Sequence, residues 1–559
     1  MPLYSSIPDI DIPAKDITTY FFECAQARLN QSQDPRAIEL PMVIDAVTEH
    51  SMCFTEIKQM AESIACTLVD RGFSFDFDPN SFHPENVAAV FSTPHIRFSA
   101  IHYGVLMAGG VYTAIDPSTE IKALAQRLEE INASVVFVAP TLLPQLLAAI
   151  ELARLDIPDS NIMLVYGNQL PYACVDTLPH VPEKVPRAPV LSQDQLANKV
   201  ALIVYSSGTT GRPKGVMISH LNIVSIYAIH FCSLAHNTVF VNSELAVPST
   251  EQQRTLAVSP LWYIGGHAQL CYHTMFLGDC AVQLPKFELS SYLHALEKYR
   301  VNKLAATPMI IHALVSFTET CGDGKIAISA DKSQEFDIGS VTTITCGGAP
   351  VPPSRLTRCA SYFKSAVIYN AYGQTEALSI ITGAFWTPHS SGDMGVLYPN
   401  CSAKIIDSNG AETNEQGELC VRGPQIMKGY LGRGRGPLTS DGFLRSGDCA
   451  QSVNGRFHIR GRMADIIHTQ SGPVYPVDIE NKLAEHPDVQ DVAVVGIGLE
   501  NNETPYAFLV LKPKATAKKP DAIKQWLNEC VGINVACRVI KDIPKSPAGK
   551  ILRHLLVGN

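Results

Sequence analysis

The chain has 15 cysteines in 559 residues, yet no two of them form a Cys-x-x-Cys pair. That removes the spacing expected of a zinc ribbon or a dithiol redox motif. An odd cysteine number also fits a reducing compartment better than a disulfide-built secreted fold. A basic surplus is missing too: 44 Lys and Arg stand against 53 Asp and Glu, a net charge of −9. Nucleic-acid binders carry the opposite balance, so nucleic acid is not an expected partner. No apolar run approaches the roughly 18 residues a membrane span needs. The first residues, Met1-Pro2-Leu3-Tyr4, show no basic and apolar leader, and Val557-Gly558-Asn559 is no peroxisomal tripeptide. The expectation is a cytoplasmic protein, monomeric or homodimeric, whose sequons at Asn30, Asn132, Asn400 and Asn502 arise by chance.

What is present is enough chain for several cores, because a single core stops growing well below this length. Val87 to Phe91, Val111 to Ile115 and Ser134 to Val138 read as buried strands, separated by helical patterns at Phe98 to Met107 and Leu124 to Ile131. Such alternation predicts parallel sheets in an α/β fold. The segment from Thr18 to Val69 reads as mostly helical, and Asp176 to Asp194, with four prolines, as a linker. Alternation resumes from Arg254 to Tyr369. Between Gly383 and Phe457 short β runs predict a small β-barrel or distorted sheet. From Arg462 onward helices and strands form a compact α+β unit. The expected organisation is a large domain over 1–460, with parts 1–190, 191–382 and 383–460, followed by a small domain over 461–559.

The chain is organised around twelve residues, Tyr205-Ser206-Ser207-Gly208-Thr209-Thr210-Gly211-Arg212-Pro213-Lys214-Gly215-Val216. They follow the apolar run Val200 to Val204 and precede a helix entry near Ser219. Glycines admit a close backbone approach, while hydroxyls, N–H groups and one lysine supply donors to an anion. Ser206, Ser207, Gly208, Thr209, Thr210, Gly211 and Lys214 thus read as a phosphate cradle. A Walker A loop is excluded, since Lys214 follows proline and precedes glycine.

This stretch resembles the signature of the adenylate-forming superfamily: acyl- and aryl-CoA synthetases, peptide-synthetase adenylation domains and luciferases. Further motifs follow in the same order, closest in pattern to 4-coumarate-CoA ligase-like synthetases. The resemblance implies a large AMP-binding domain under a small mobile lid. It implies ATP and Mg²⁺ as cofactors, with CoA or a phosphopantetheine arm as the thiol. In Asn370-Ala371-Tyr372-Gly373-Gln374-Thr375-Glu376, Glu376 would hold Mg²⁺, Thr375 would donate to the α-phosphate and Tyr372 would pack on adenine. A hard dication on phosphates does take one or two carboxylates. Gly347, Gly348, Ala349 and Pro350 would wall the adenine and acyl sites, and glycines there let a flat ring approach the backbone. Asp448 would accept the ribose hydroxyls and Arg462 would be a second ribose or phosphate ligand. In Pro544-Lys545-Ser546-Pro547-Ala548-Gly549-Lys550, Lys550 would neutralise charge as a carboxylate attacks phosphorus, whereas Lys545 reads as solvated. Lys550, Lys214, Thr210 and Glu376 form the expected catalytic set.

The acceptor and the acid are less constrained. Ala464 stands where the family usually has Asp or Lys at its hinge. The following loop, with Ser471 and Gly472 as thiol-channel candidates, reads as about one residue short. CoA, a carrier protein's thiol and an amine therefore all stay open. In Pro260-Leu261-Trp262-Tyr263-Ile264-Gly265-Gly266-His267, Tyr263 occupies the gate position and Gly265 faces the acyl space. His267 either bonds a substrate hydroxyl or sits satisfied in the core. The missing aspartate disfavours an amino acid, and the composition suits an aryl or medium apolar acid.

Overall fold

The computed structural model describes the chain except residues 1, 32–36, 207–212, 237–251, 323, 330, 380–383, 386–392, 414, 500–501, 513–514, 516–519, 533, 547–548 and 558–559. Two eight-stranded sheets dominate the large domain. Val87–Phe91 is buried at every position, as expected of a parallel strand covered on both faces. It pairs in parallel with Val111–Ile115 and with Ala133–Val138. Val111–Ile115 in turn pairs with Val200–Ser206, which brings the end of the phosphate-loop strand into the first sheet. In the second sheet, Lys303–Ala306, Thr343–Gly347 and Val367–Ala371 run parallel. Gly347 lies directly opposite Ala371. The Gly347-Gly348 turn and the Tyr372 loop therefore leave the carboxyl ends of neighbouring strands, where open α/β sheets place their ligands.

The structure adds detail to three sequence expectations. The region 18–69 is mostly helical, in Ile17–Gln31 and Phe54–Val69, but strands Pro41–Asp45 and Ser51–Cys53 stand between these helices. Strand Pro41–Asp45 is short and three of its residues are buried, so no helical period could register. The helix expected near Ser219 begins at His220, and the residues before it, Lys214–Ser219, form a strand antiparallel to Val200–Ser206. The stretch 254–369 also contains an antiparallel meander, Thr318–Gly322, Lys325–Ile328 and Asp331–Asp337.

The β-rich region is a five-stranded antiparallel sheet, with Leu3–Tyr4 and Arg456–Arg462 at its edges. Its strand Leu444–Val453 sets Asp448 opposite Arg462. Beyond a short turn at Met463–Asp465 comes the smaller domain. There Val489–Leu499 and Asn502–Leu511 pair antiparallel, and Ala536–Val539 joins in parallel. Helices Pro476–Leu483 and Pro520–Val531 contribute Ile479, Leu483, Ile523 and Leu527 to its core. One buried charge organises this domain. The Glu480 carboxylate accepts from Arg553 Nη1 at 2.6 Å and from the Val494 N–H at 2.8 Å.

Candidate active site

The hairpin that carries the phosphate loop sets Lys214 directly opposite Ser206. Ser206 Oγ donates to Glu376 Oε1 at 2.9 Å, and Tyr430 Oη donates to the same oxygen at 3.1 Å. The Lys214 ammonium lies 5.2 Å from the centre of the Tyr430 ring. The two ends of the loop and the acidic residue of the second motif thus meet through one tyrosine. Ser207, Gly208, Thr209, Thr210 and Gly211 lie outside the described residues.

Glu376 sits in a tight reversal, since Gly373 pairs with Ser379 and Gln374 with Leu378. Glycine is required at 373, because a Cβ there would fall 2.2 Å from the Leu378 carbonyl oxygen. Thr375 is half-buried in the same turn. Glu376 offers one carboxylate among hydroxyl donors, and no group of three or more His, Cys, Asp or Glu able to hold a metal occurs among the described residues. That donor set fits a Mg²⁺ bound chiefly by phosphate oxygens and water.

A second cluster centres on Asp448, 6% exposed. Its carboxylate accepts from Tyr372 Oη at 2.6 Å and pairs with Arg462 Nε at 3.1 Å. Arg462 Nη1 also donates to the Ser446 carbonyl at 3.0 Å. Burial pushes the Asp448 pKa up, while Arg462, the Tyr372 hydroxyl and Lys550 oppose the rise. Burial also lowers the Lys550 pKa, with Arg462 adding to the effect and Asp448 and Glu376 opposing it. Lys550 is thus within electrostatic reach of both clusters. The turn before it is seated on the large domain, as Gly549 (φ +82°) leaves only 3.2 Å between an added Cβ and Met309 Cβ.

Between the domains lies a cavity of about 350 Å³ lined by Ala349, Pro350, Asn370 and Ala371 on one side and Val477, Asp478 and Asn481 on the other. Gly348, next to Ala349 in the chain, has a φ of +93°, and a Cβ there would meet nothing within 4 Å. A larger recess of about 480 Å³ beside Tyr4 to Asp9 touches none of these residues.

The acyl-pocket candidates divide. A Cβ on Gly265 would meet nothing within 4 Å, whereas one on Gly266 would fall 2.3 Å from the Pro260 oxygen. Gly265→Ala is therefore expected to fold normally, and Gly266→Ala to lower the melting temperature by several degrees, checked by thermal unfolding of both variants. Tyr263 is half-buried at the start of the helix Ile264–Ala268. His267 is buried among rings, 4.6 Å from His102 and 5.0 Å from Tyr112 between centroids, and burial drops its pKa to about 3. It is a neutral residue packed in an aromatic cluster.

Ser471 and Gly472 lie on a hairpin, Ile467–Thr469 with Gly472–Val474. The Gly472 carbonyl accepts from Thr469 Oγ1 at 2.8 Å, and His468 N–H donates to Glu503 Oε2 at 2.8 Å. Lys545 is not the solvated residue its flanking sequence suggests, because it forms an ion pair with Asp491. Tyr430 was not legible in the sequence: a lone Gly429-Tyr430 carries no pattern, and only its pairing with Met217 and Val216 brings it here.

Models of known families match most of this chain. The AMP-binding enzyme model covers residues 29–431, and the AMP-binding enzyme C-terminal domain covers 478–550. The chain is 26% identical over 568 residues to 4-coumarate–CoA ligase-like 8 of Arabidopsis thaliana, spanning 99% of this chain and 94% of that protein. It is also 26% identical to peroxisomal OPC-8:0-CoA ligase 1 of the same plant, over 92% and 89% of the two chains. Among solved structures, the amide bond synthetase McbA of Marinactinospora thermotolerans superposes with a TM-score of 0.74 at 21% identity, covering 96% and 99%. No helix among the described residues is long and apolar enough to cross a membrane.

Proposed function

The chain belongs to the AMP-binding enzyme family, and within that family's adenylate-forming activation of acids we propose that it is an acid–thiol ligase acting on an aryl or medium-chain apolar acid. A carboxylate oxygen attacks the α-phosphorus of ATP, the bond to the bridging oxygen breaks, and pyrophosphate leaves with that electron pair. The thiol of CoA then attacks the acyl carbon. The bond to AMP breaks and the thiol proton passes to solvent.

The observation that carries this reading is the meeting of three groups. They are Ser206, Glu376 and Tyr430 with Lys214 over its ring; Asp448 with Tyr372 and Arg462; and Lys550 within electrostatic reach of both. Negative charge accumulates on the phosphates as the first bond forms, so positioned cations are the main catalytic means. Lys214 and Lys550 supply them from opposite domains. Mg²⁺, which Glu376 would hold, neutralises phosphate charge when bound. Asp448 would receive the ribose diol. Gly347, Gly348, Ala349, Pro350, Asn370 and Ala371 would line the base and acyl sites, with Tyr263 and Gly265 toward the acid.

Acid-dependent ATP–pyrophosphate exchange over a panel of aryl and fatty acids tests the first step, and addition of free CoA tests the second. No exchange with any acid overturns the reading. Exchange without CoA ester favours a second reading, in which a carrier-protein thiol or an amine attacks the same carbonyl. Ala464 at the inter-domain turn and the two-residue reversal at Gln470-Ser471 support that alternative.

Two substitutions sharpen the assignment. Gly265→Ala should narrow the range of acids accepted, with bulky aryl acids losing most, measured by exchange across the panel. Tyr430→Phe removes one of two hydroxyls on Glu376 but keeps the ring beneath Lys214. A hydrogen bond to a charged group contributes about 1.5–3 kcal/mol, so the KM for ATP should rise roughly tenfold or more.

A further inference from the structure

Away from the reacting groups, four charged or titratable side chains gather where the smaller domain rests on the larger one. Arg355, on the large-domain helix Pro353–Tyr362, donates through Nη2 to Asp491 Oδ1 at 3.1 Å and to the Gln490 carbonyl at 2.9 Å. The other oxygen of Asp491 is paired with Lys545. His312 lies within electrostatic reach of the same cluster, its pKa lowered to about 4 by burial and by Arg355. The side chains of Arg355 and Asp491 are each 13% exposed, so this pair escapes most of the screening that makes surface ion pairs weak. A neighbouring contact, Ser354 Oγ to the Ala484 carbonyl at 3.4 Å, crosses the same boundary.

Lys545 stands at the root of the turn that bears Lys550. It bridges Ile551 in antiparallel fashion. Within the turn, Ser546 N–H donates to the Lys550 carbonyl at 2.8 Å, and Gly549 N–H to the Ser546 carbonyl at 2.8 Å. The Lys550 N–H in turn donates to Ser546 Oγ at 3.2 Å. A continuous bonded path thus runs from the Arg355 helix through Asp491 and Lys545 to Lys550. Only its first link crosses between domains, since Asp491 and Lys545 both belong to the smaller one.

We propose that Asp491 is a positioning residue for acid activation: clamped between Arg355 and Lys545, it seats the Lys550 turn against Met309 and makes the first half-reaction, but not the second, depend on Arg355. This rests on the adenylate-forming reading above. The clamp separates from the active-site groups because none of its members lines the inter-domain cavity or touches Asp448 or Glu376. When the smaller domain moves away, the Arg355 link breaks while the Asp491–Lys545 pair travels intact.

The test uses the full-length protein with Arg355→Ala, Arg355→Lys and Asp491→Asn. The last is an isosteric change that keeps the shape of the site should the alanine variant fold poorly. Hydrogen exchange of the peptide 545–552, measured without any acid, should quicken about tenfold in Arg355→Ala and Asp491→Asn, and recover in part in Arg355→Lys. With the acid most active in pyrophosphate exchange, kcat for exchange should fall about tenfold at nearly constant KM for ATP. Transfer of the matching synthetic acyl-adenylate to CoA should be unchanged or faster. Unaltered hydrogen exchange, or equal losses in both half-reactions, would overturn the clamp. Absence of exchange in the unsubstituted protein would instead overturn the parent reading, and the hydrogen-exchange result would still decide the clamp.

Discussion

Lys550→Ala should lower acid-dependent pyrophosphate exchange by about 100- to 1000-fold, the range found when one pre-placed donor to a developing charge is removed. The Lys550 side chain is half-buried, within electrostatic reach of Asp448 and Glu376. In such a setting a cation acts on phosphate charge more strongly than it would in water. Exchange measured at saturating ATP and acid is the decisive readout, and exchange within a few-fold of normal would remove Lys550 from the mechanism. Transfer from a preformed acyl-adenylate to a thiol should change little, because no phosphate charge builds up in that step. The pH profile gives an independent check. Burial lowers the Lys550 pKa, so the ammonium is lost at a lower pH than for a free lysine, and kcat/KM should decline early on the alkaline side. Bound phosphates favour the charged form, so the alkaline limb of kcat should lie at higher pH.

Glu480→Ala should destabilise the smaller domain by about 3 kcal/mol, the lower end of what breaking a buried ion pair costs. The Glu480 and Arg553 side chains are 11% and 20% exposed, which is why the lower end applies. Truncation leaves the Arg553 guanidinium without its main partner and strands the Val494 N–H within strand Val489–Leu499. Glu480→Gln retains an acceptor for that N–H and should lose less. The chain has two domains, so a single unfolding midpoint is a poor measure. Hydrogen exchange in 489–511, together with limited proteolysis of the intact protein, reads the domain directly. Protection equal to that of the unsubstituted chain would show that Arg553 finds another partner.

The large domain's sheets were legible because parallel strands buried on both faces appear as short apolar runs, as at Val87 to Phe91 and Val200 to Val204. Glycine and hydroxyl residues also announce a phosphate loop by their chemistry. The region Pro41 to Cys53 was not legible: a five-residue strand and a three-residue strand, each bordered by helix, carry too few alternations to register. At the site, the structure brings Ser206, Lys214 and Glu376 into one cluster and Asp448 and Arg462 into another, with Lys550 within electrostatic reach of both. Tyr430 and the Arg355–Asp491–Lys545 cluster did not show, because their partners lie far along the chain and no spacing links them. His267 was open between a substrate contact and a core residue, and the fold surrounds it with the rings of His102, Tyr112 and Tyr272.

The turn at Met463–Asp465 is pinned at both ends. Arg462 is bonded back to Asp448 in the large domain's sheet, while Asp465 is bonded forward to Arg553 in the smaller domain, Arg553 Nε lying 3.2 Å from its Oδ2. Between these anchors stand only Met463 and Ala464. A swing of one domain against the other that keeps both anchors must therefore be absorbed by six backbone torsions: ψ of Arg462, φ and ψ of Met463 and Ala464, and φ of Asp465. Such a joint behaves like a short crank and not a flexible tether: its reach is fixed, and its stopping points are set by the sterics of Met463 and Ala464. A β-branched residue at 464 would restrict that arc without touching any ligand, and the time taken to pass between the two half-reactions would lengthen accordingly.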